Sequence, residues 1–453
     1  MNLSIKKISL FMSGLFVLSP LAFASDDLGL RTLNNVKEIP LASNTDGYEY
    51  FYSNVFVSNG PHGLTNQSSF NHLMMIMSEA RKSENLTNDG IKLYESLVQV
   101  KKLIGKKSST TLTSYGANVV SSLGNVFVKP RLQSLLTAQD RDNKINIEFE
   151  YAGDSISLDT GEKFVQGMSR SVSENLEISF EENDNNKLLA FFNTSDYRRF
   201  LNSYSDLVKM VGKLEVAEQT KNNIDSILKR IFKKKYFDEM NHNGMFVIKR
   251  NLVKMEKNVF VKCLYEIYKF LPSENPRNLA DFNKVMDDVI RPSERDYFSK
   301  LNNVELYYSY GPSFDTNQIT SQQGKNFYKD FVETISNHED DIYEYPMKLS
   351  FADSRALLTY LSFLMGDTIK DVVASENKKF DPIRGKFDFK LIIPQNSILV
   401  FDLYKNKENE ILVRPSFNGK ALELKKECER VSVNNEFYTL TNLNKCFDSE
   451  EKQ

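Results

Sequence analysis

A short strand followed at once by an apolar helix, between Tyr345 and Asp367, constrains the fold of this chain more than any other stretch. Residues 347–351 alternate in polarity and predict a strand. Apolar residues then recur at helical spacing up to a stop at Gly366: Leu357, Leu358, Leu361, Leu364 and Met365. Asp353 or Ser354 can cap this helix, so Asp353 is either an ordinary cap or a catalytic acid. Strand-to-helix turns of this kind bind anions, because backbone N–H groups and the helix dipole converge there.

Strand patterns lie on both sides of a long helical block. The predicted strands are 49–57, 145–151, 347–351, 390–393, 397–404 and 411–414. From Arg170 to about His338, amphipathic patterns such as 196–214 and 225–236 predict helices. This arrangement predicts one α/β domain assembled from two chain segments, with a mostly helical domain inserted between them. Residues 107–143 are rich in Ser, Thr and Asn and are interpreted as an insertion of uncertain structure.

Composition excludes several classes of partner. The 453 residues suffice for about two to three domains. With a net charge of −2 and interspersed charges, the sequence does not indicate binding to nucleic acid or to an anionic membrane. The basic run at 228–237 is interpreted as the solvated face of a helix, with an anionic-ligand patch as the alternative.

The N-terminus has the pattern of an export signal. Lys6 and Lys7 precede an apolar run from Ile8 to Phe23, and Ala22-Phe23-Ala24 supplies the small residues that a signal peptidase reads. We therefore expect cleavage after Ala24 and an exported protein, periplasmic or secreted, without an integral membrane span. An uncleaved N-terminal anchor is the alternative.

Cysteine and histidine usage indicates neither a metal site nor a cofactor. Cys428 and Cys446 could close one loop by a disulfide in an oxidising compartment, and Cys263 lies in an apolar helix pattern that predicts a buried thiol. The remaining histidines do not form a cluster with metal-ligand spacing: His72, His242 and His338.

Six motifs in order resemble the histidine phosphatase superfamily, in particular its multiple inositol polyphosphate phosphatase (phytase-like) branch. LTNDGIKLYESLVQVKKLIG resembles the family's L-T-x-x-G helix, and LSFADSRALLTYLSFLMG its late motif, which contains H-A-E. KLIIPQNSILVFDLY with ILVRPSFNGKALEL resembles the closing hairpin. The other three motifs are YAGDSISLDTGEKFVQGM, LLAFFNTSDYRRFL and YSYGPSFDTN.

The resemblance implies a three-layer histidine phosphatase-like α/β fold with a mostly helical inserted cap. Together with the signal peptide at 1–24, the predicted segments are the α/β domain at 25–169 and 341–425, the cap at 170–340, and a C-terminal tail at 426–453.

The resemblance also implies a phosphomonoesterase that works through a phosphohistidine. SNGPHGLTN places His62 and Gly63 on the family's nucleophile loop, so His62 is implied as the nucleophile. Pro61 and Thr65 stand where the family has the first two phosphate-binding arginines, and Ile156 where it has the third. Gly63 and Thr65 are accordingly assigned to substrate binding.

The late motif departs from the family in the same way. Asp353 stands for the second histidine and Arg355 for the acid, which makes Asp353 the candidate proton donor and Arg355 a candidate substrate-binding cation. Losing one transition-state donor costs roughly 3 kcal/mol, so the sequence predicts weak hydrolysis or none. Two hypotheses follow: a divergent hydrolase of inositol polyphosphate-like esters, and a non-catalytic relative that binds a ligand or a protein through the same cleft.

Overall fold

The computed structural model describes most of the chain, and every structural statement below concerns the ranges 36–42, 47–64, 67–104, 111–138, 144–171, 177–184, 186–248, 253–271, 280–312, 319–337, 345–366, 393–431 and 436–448. The expected signal segment, 1–24, lies outside them. Within these ranges, no helix combines the length and the apolar run needed to cross a bilayer.

The chain alternates between strands and helices. The strands are β1 (Glu49–Ser58), β2 (Lys144–Tyr151), β3 (Glu177–Asp184), β4 (Met245–Ile248), β5 (Val253–Glu256), β6 (Met347–Ala352), β7 (Ile398–Lys405), β8 (Ile411–Phe417), β9 (Lys420–Ala421) and β10 (Tyr438–Thr439). The helices of the first half are α1 (Gln67–Lys82), α2 (Asn88–Ile104), α3 (Ser114–Ala138), α4 (Ser155–Ser169), α5 (Asn186–Leu189), α6 (Ser195–Ser203), α7 (Ser205–Glu215) and α8 (Glu218–Ile231). Those of the second half are α9 (Lys234–Asn243), α10 (Lys257–Phe270), α11 (Ala280–Val289), α12 (Pro292–Tyr310), α13 (Ile319–Asn337), α14 (Ser354–Met365) and α15 (Leu440–Asp448).

A mixed sheet lies at the centre, with strand order β10-β8-β7-β1-β6-β2-β3 and β9 beside β8. Strand β1 is parallel to β6, which is parallel to β2, and β2 is parallel to β3, whereas β7 runs antiparallel to β1. The predicted α/β fold is therefore confirmed, because strands from both ends of the chain pair in one sheet. Of the predicted strand at 390–393, residues 390–392 lie outside the described ranges and Ile393 is not in a strand.

Helices cover both faces of this sheet. On β6, Leu349 packs in one apolar core with α3 and α4, while Ala352 faces the core built by α13 and α14. Odd and even strand positions point to opposite faces, so the continuous burial of β6 follows from helices on both sides. A third apolar core joins α1 and α2 to α8, α10 and the β4–β5 hairpin.

Several helix predictions need adjustment at turns. The predicted helix at 225–236 is wrong across Phe232, which is extended (φ −112°, ψ 143°) and bridges to Leu86, so that α8 and α9 are separate. The predicted helix at 196–214 likewise breaks at Tyr204. At each break the chain leaves the helical path and can contact another part of the protein. The spacing of apolar residues within one segment does not predict such a contact.

Residues 107–143, interpreted as an insertion without clear structure, contain the 25-residue helix α3. This helix packs closely on α4, since a Cβ at Gly124 would lie 2.0 Å from Phe164 O and one at Gly167 would lie 1.8 Å from Ser121 O. Only glycine permits this approach of the two backbones.

The C-terminal tail is fastened by a disulfide between Cys428 and Cys446, a pairing that the sequence allowed. Cys263 is buried in α10, as predicted, and burial raises the pKa of its thiol to about 12. Strand β3, from the segment assigned to the cap, extends the central sheet, and the predicted domain limits stay a prediction.

Candidate functional site

The carboxyl ends of three neighbouring parallel strands meet at one edge of the sheet. After β1 the chain continues into the loop that carries His62, after β6 into Asp353, and after β2 into Asp154. The loops are joined by backbone hydrogen bonds, because Asn59 N–H donates to Ala352 O over 2.8 Å. Open α/β sheets bind ligands in the crevice outside these strand ends.

The loop after β1 fixes the orientation of His62. The Nδ1 atom lies 2.9 Å from Gly60 O, and Gly63 N–H donates to Thr111 O over 3.2 Å. A carbonyl oxygen only accepts, so Nδ1 carries the hydrogen and the neutral ring has its lone pair on Nε2. Gly60 is required here, because a Cβ would lie 2.3 Å from a methyl group of Val120. The half-buried His62 thus has the tautomer that a nitrogen nucleophile needs.

Asp353 is the N-terminal cap of α14. Its Oδ1 accepts the Arg355 backbone N–H over 2.8 Å, and its two oxygens also accept Arg355 Nε at 2.8 Å and Nη2 at 3.2 Å. Burial by itself raises the pKa of Asp353, but the charge and hydrogen bonds of Arg355, with a smaller effect of nearby His62, hold that pKa below its usual value. Asp353 is therefore ionised at neutral pH, which suits a cap and not a proton donor.

Arg355 places a cation at this edge. Its guanidinium lies 4.1 Å above the ring centroid of Phe192, and Tyr310 hydrogen-bonds to it. Burial alone would lower the pKa of Arg355, but Asp353 and Tyr310 raise it further above its usual value. The side chain is 34% exposed, so part of it still reaches solvent.

The positions at which the family carries its other phosphate-binding arginines are not cationic. Pro61 is buried, and Ile156 is half-buried with its N–H donating to Asp154 Oδ1 over 3.0 Å. Thr65 lies outside the described residues. In the basic run, Arg230 pairs with Glu294 and Lys229 lies over the Phe237 ring, so the described contacts of these two residues lie in the helical part of the protein.

Neutral polar groups take part in the site and were missed by sequence reasoning. The Ser157 hydroxyl lies 3.1 Å from Asn59 Oδ1, and Gly60 N–H donates to Thr160 Oγ1 over 3.2 Å. These residues hold the His62 loop against the start of α4. The sequence signal that could have identified these residues is their position directly after a predicted strand, in the turn or the first residues that follow it.

Of the other histidines, His72 lies half-buried on α1. The side chain of His242 and the whole of His338 lie outside the described residues. Among the described residues, no group of three or more His, Cys, Asp or Glu could hold a metal ion.

Solved structures share the fold over nearly the whole chain. The Bifidobacterium longum multiple inositol polyphosphate phosphatase in complex with phosphate superimposes with a TM-score of 0.79 at 15% identity, over 94% of this chain and 98% of that chain. The same protein in complex with inositol hexasulfate gives 0.78 at 15% identity and the same coverage. The phytase from D. castellii gives 0.58 at 14% identity, over 94% of this chain and 84% of that one.

Comparison with protein-family models gives no match, and neither does comparison with curated protein sequences. At these identities the structural similarity shows a shared fold, which is the one that the order of motifs predicted.

Proposed function

We propose that this protein is an exported histidine phosphatase-like hydrolase that recognises phosphate monoesters of the inositol polyphosphate kind and turns them over slowly at neutral pH. The observation that carries the proposal is the contact of His62 Nδ1 with Gly60 O at 2.9 Å, at the same sheet edge as Arg355. It leaves Nε2 with a lone pair, at the sheet edge that also carries Arg355, whose guanidinium is suited to bind a phosphoryl oxygen.

In the proposed reaction, His62 Nε2 attacks phosphorus. The N–P bond forms while the bond from phosphorus to the ester oxygen breaks, and at neutral pH the leaving alkoxide takes a proton from solvent water to become the alcohol. Water then cleaves the N–P bond and releases inorganic phosphate. Charge spreads over the phosphoryl oxygens in the transition state, so cations at the site set the rate.

Two features argue for slow turnover. Each missing transition-state donor costs roughly 3 kcal/mol, about a hundredfold in rate, and Pro61 and Ile156 supply none. Asp353 is ionised at neutral pH, so it repels phosphate and lacks a proton for the leaving group. Acid conditions favour turnover, because protonated Asp353 loses its charge and gains a proton to donate.

A second candidate function is non-catalytic binding of a ligand or a protein through the same cleft. It is favoured by the ion pair of Asp353 with Arg355, which leaves the candidate acid tied to the candidate substrate-binding cation.

The deciding experiment measures phosphate release from phytate and para-nitrophenyl phosphate between pH 4 and 8. The variants are His62→Ala, the triple variant Pro61→Arg/Thr65→Arg/Ile156→Arg, and the control His72→Gln on α1. We expect low activity in the wild type, loss in His62→Ala, no change in His72→Gln and a gain in the triple variant. An alkaline quench followed by mass spectrometry should find the phosphoryl group on His62.

Other outcomes would overturn parts of the proposal. Fast turnover at pH 7 that needs His62 would contradict the slow-enzyme reading. Activity that survives His62→Ala would show a different nucleophile. Binding of inositol hexasulfate without turnover in any variant would favour the non-catalytic function. For export, mass spectrometry of the mature protein should find Ser25 at the N-terminus, and recovery of residues 1–24 in a membrane fraction would contradict cleavage.

A further inference from the structure

The Arg355 guanidinium is fixed from three sides. Asp353 binds its Nε and Nη2 atoms, the ring of Phe192 covers one face at 4.1 Å, and the Tyr310 side chain hydrogen-bonds to it, with the ring centroid at 5.7 Å. A guanidinium has five N–H donors in one plane, and Asp353 takes two of them. The Tyr310 hydroxyl can accept only from a third donor, so these two residues leave two of the five donors for an additional partner.

Phe192 and Tyr310, which we call the clamp, are themselves held in place by their neighbours. Tyr310 stacks on Tyr197 with ring centroids 6.0 Å apart and meets the Phe192 ring edge to face at 6.5 Å. Its backbone oxygen accepts a hydrogen bond from Thr359 Oγ1 on α14 over 2.9 Å. The Tyr197 hydroxyl in turn donates to Ser309 O over 2.6 Å. Tyr310 is 8% exposed, so its ring is a wall of the site and not a surface for a ligand to stack on.

We propose that Phe192 and Tyr310 are positioning residues, which hold Arg355 so that its remaining donors bind one oxyanion of a phosphoryl or sulfate group beside His62. The inference rests on the proposed function and adds which residues orient Arg355, the proposed phosphate-binding cation. An arginine that is held in place loses less side-chain freedom when it binds, so the ordered guanidinium binds an oxyanion more tightly than a mobile one.

The residues that contact Arg355 come from parts of the chain that are distant in sequence. Phe192 lies in the short turn before α6, Tyr310 ends α12, and Arg355 lies in the first turn of α14. The helical segment between β3 and β6 thus contacts the late motif directly.

The first test is isothermal titration with inorganic phosphate and with inositol hexasulfate. We expect Tyr310→Phe and Phe192→Leu each to weaken binding roughly 3- to 10-fold, since each removes one contact to the guanidinium. Phe192→Tyr keeps the ring face and should retain wild-type affinity. The matched control is Tyr360→Phe on α14, which removes a buried hydroxyl that has no hydrogen-bond partner among the described residues.

The second test does not need a ligand. Phenylglyoxal modifies accessible arginines, and peptide mass spectrometry gives the rate at Arg355. We expect faster modification in Tyr310→Phe and Phe192→Leu, an unchanged rate in Tyr360→Phe, and slower modification of the wild type when phosphate is present.

The two tests separate the inference from the function on which it rests. A wild type that binds neither probe refutes the proposed function, while the modification rates still decide whether the clamp holds Arg355. Unchanged affinity and unchanged modification rate in both clamp variants would overturn the inference. Equal effects in the clamp variants and in Tyr360→Phe would overturn it as well, because they would indicate a general loss of structure.

Discussion

Arg131 and Asp402 form an ion pair that solvent does not reach, with Nη2 2.6 Å from Oδ2 and Nε 3.0 Å from Oδ1. Both side chains are 0% exposed. The pair also binds the Ser53 hydroxyl, which donates to Asp402, and the carbonyls of Ile39 and Phe127, which accept from Arg131. The pair therefore ties α3 to β7 beneath the sheet.

Removal of either charge should destabilise the protein strongly, because the other is left buried and unpaired. We expect Arg131→Met and Asp402→Asn each to lower the free energy of unfolding by about 3–5 kcal/mol in urea denaturation. The double variant Arg131→Met/Asp402→Leu should cost less than either single change. Asp196→Asn, from an exposed pair with Arg199, is the control and should cost less than about 1 kcal/mol. Equal effects at the two sites would contradict this account.

The pH dependence of stability should report the ion pair of Asp353 with Arg355. Because the folded-state pKa of Asp353 lies below its unfolded value, its ionised form stabilises the fold above the unfolded pKa, and this stabilisation is lost as pH falls through the folded pKa. Asp353→Asn keeps a cap but loses the charge. We expect its melting temperature to lie below that of the wild type at pH 7 and to converge with it in acid. The difference should disappear in an Arg355→Met background; a constant gap from pH 7 to pH 3 would refute the assignment.

The stability contributed by Glu150 should change with pH in the opposite direction to that of Asp353. Burial raises its pKa, and this effect outweighs Lys348, whose Nζ lies 3.1 Å from it. A raised folded-state pKa gives stability that is complete below the unfolded pKa and is lost as pH rises through the folded value. Relative to the wild type, Glu150→Gln should therefore gain stability as pH rises from 4 to 7, which melting curves would show. A relative loss over that interval would contradict the raised pKa.

The disulfide should stabilise the C-terminal tail. The loop between Cys428 and Cys446 spans 18 positions, for which the entropic contribution is about 3 kcal/mol. We expect Cys428→Ser/Cys446→Ser to denature at lower urea concentration, and reductant to shift the wild type equally while leaving the double variant unchanged. Cys263→Ala should keep the response to reductant. A double variant that still responds would show that the bond does not contribute.

Sequence reasoning succeeded where a signal lies within one element. The density of β-branched and aromatic residues predicted β1, and alternation predicted β6. The cap at Asp353 with the stop at Gly366 predicted α14, and all of these patterns reflect local geometry. It failed for α3, since Gly124 and Pro130 lower helix propensity there. Gly124 permits the close approach of α3 to α4, and this packing stabilises α3. A prediction from the residues of α3 alone does not include that contact.

The site was predictable only in part. The order of motifs indicated the fold and the positions of His62, Asp353 and Arg355. The clamp of Phe192 and Tyr310 depends on side chains that the fold brings together from distant segments, and no local pattern marks them. The roles of these residues stay predictions until the variants are measured.

The place of β1 in the sheet has a consequence for synthesis. This early strand lies between β6 and β7, and its Ser53 bonds to Asp402, 349 positions later. Its two neighbours, at 347–352 and 398–405, leave the ribosome long after it, so the centre of the sheet cannot pair completely until β7 has been made. Such distant pairing folds slowly, and a nascent chain that stays open in this way exposes apolar surface to which chaperones can bind.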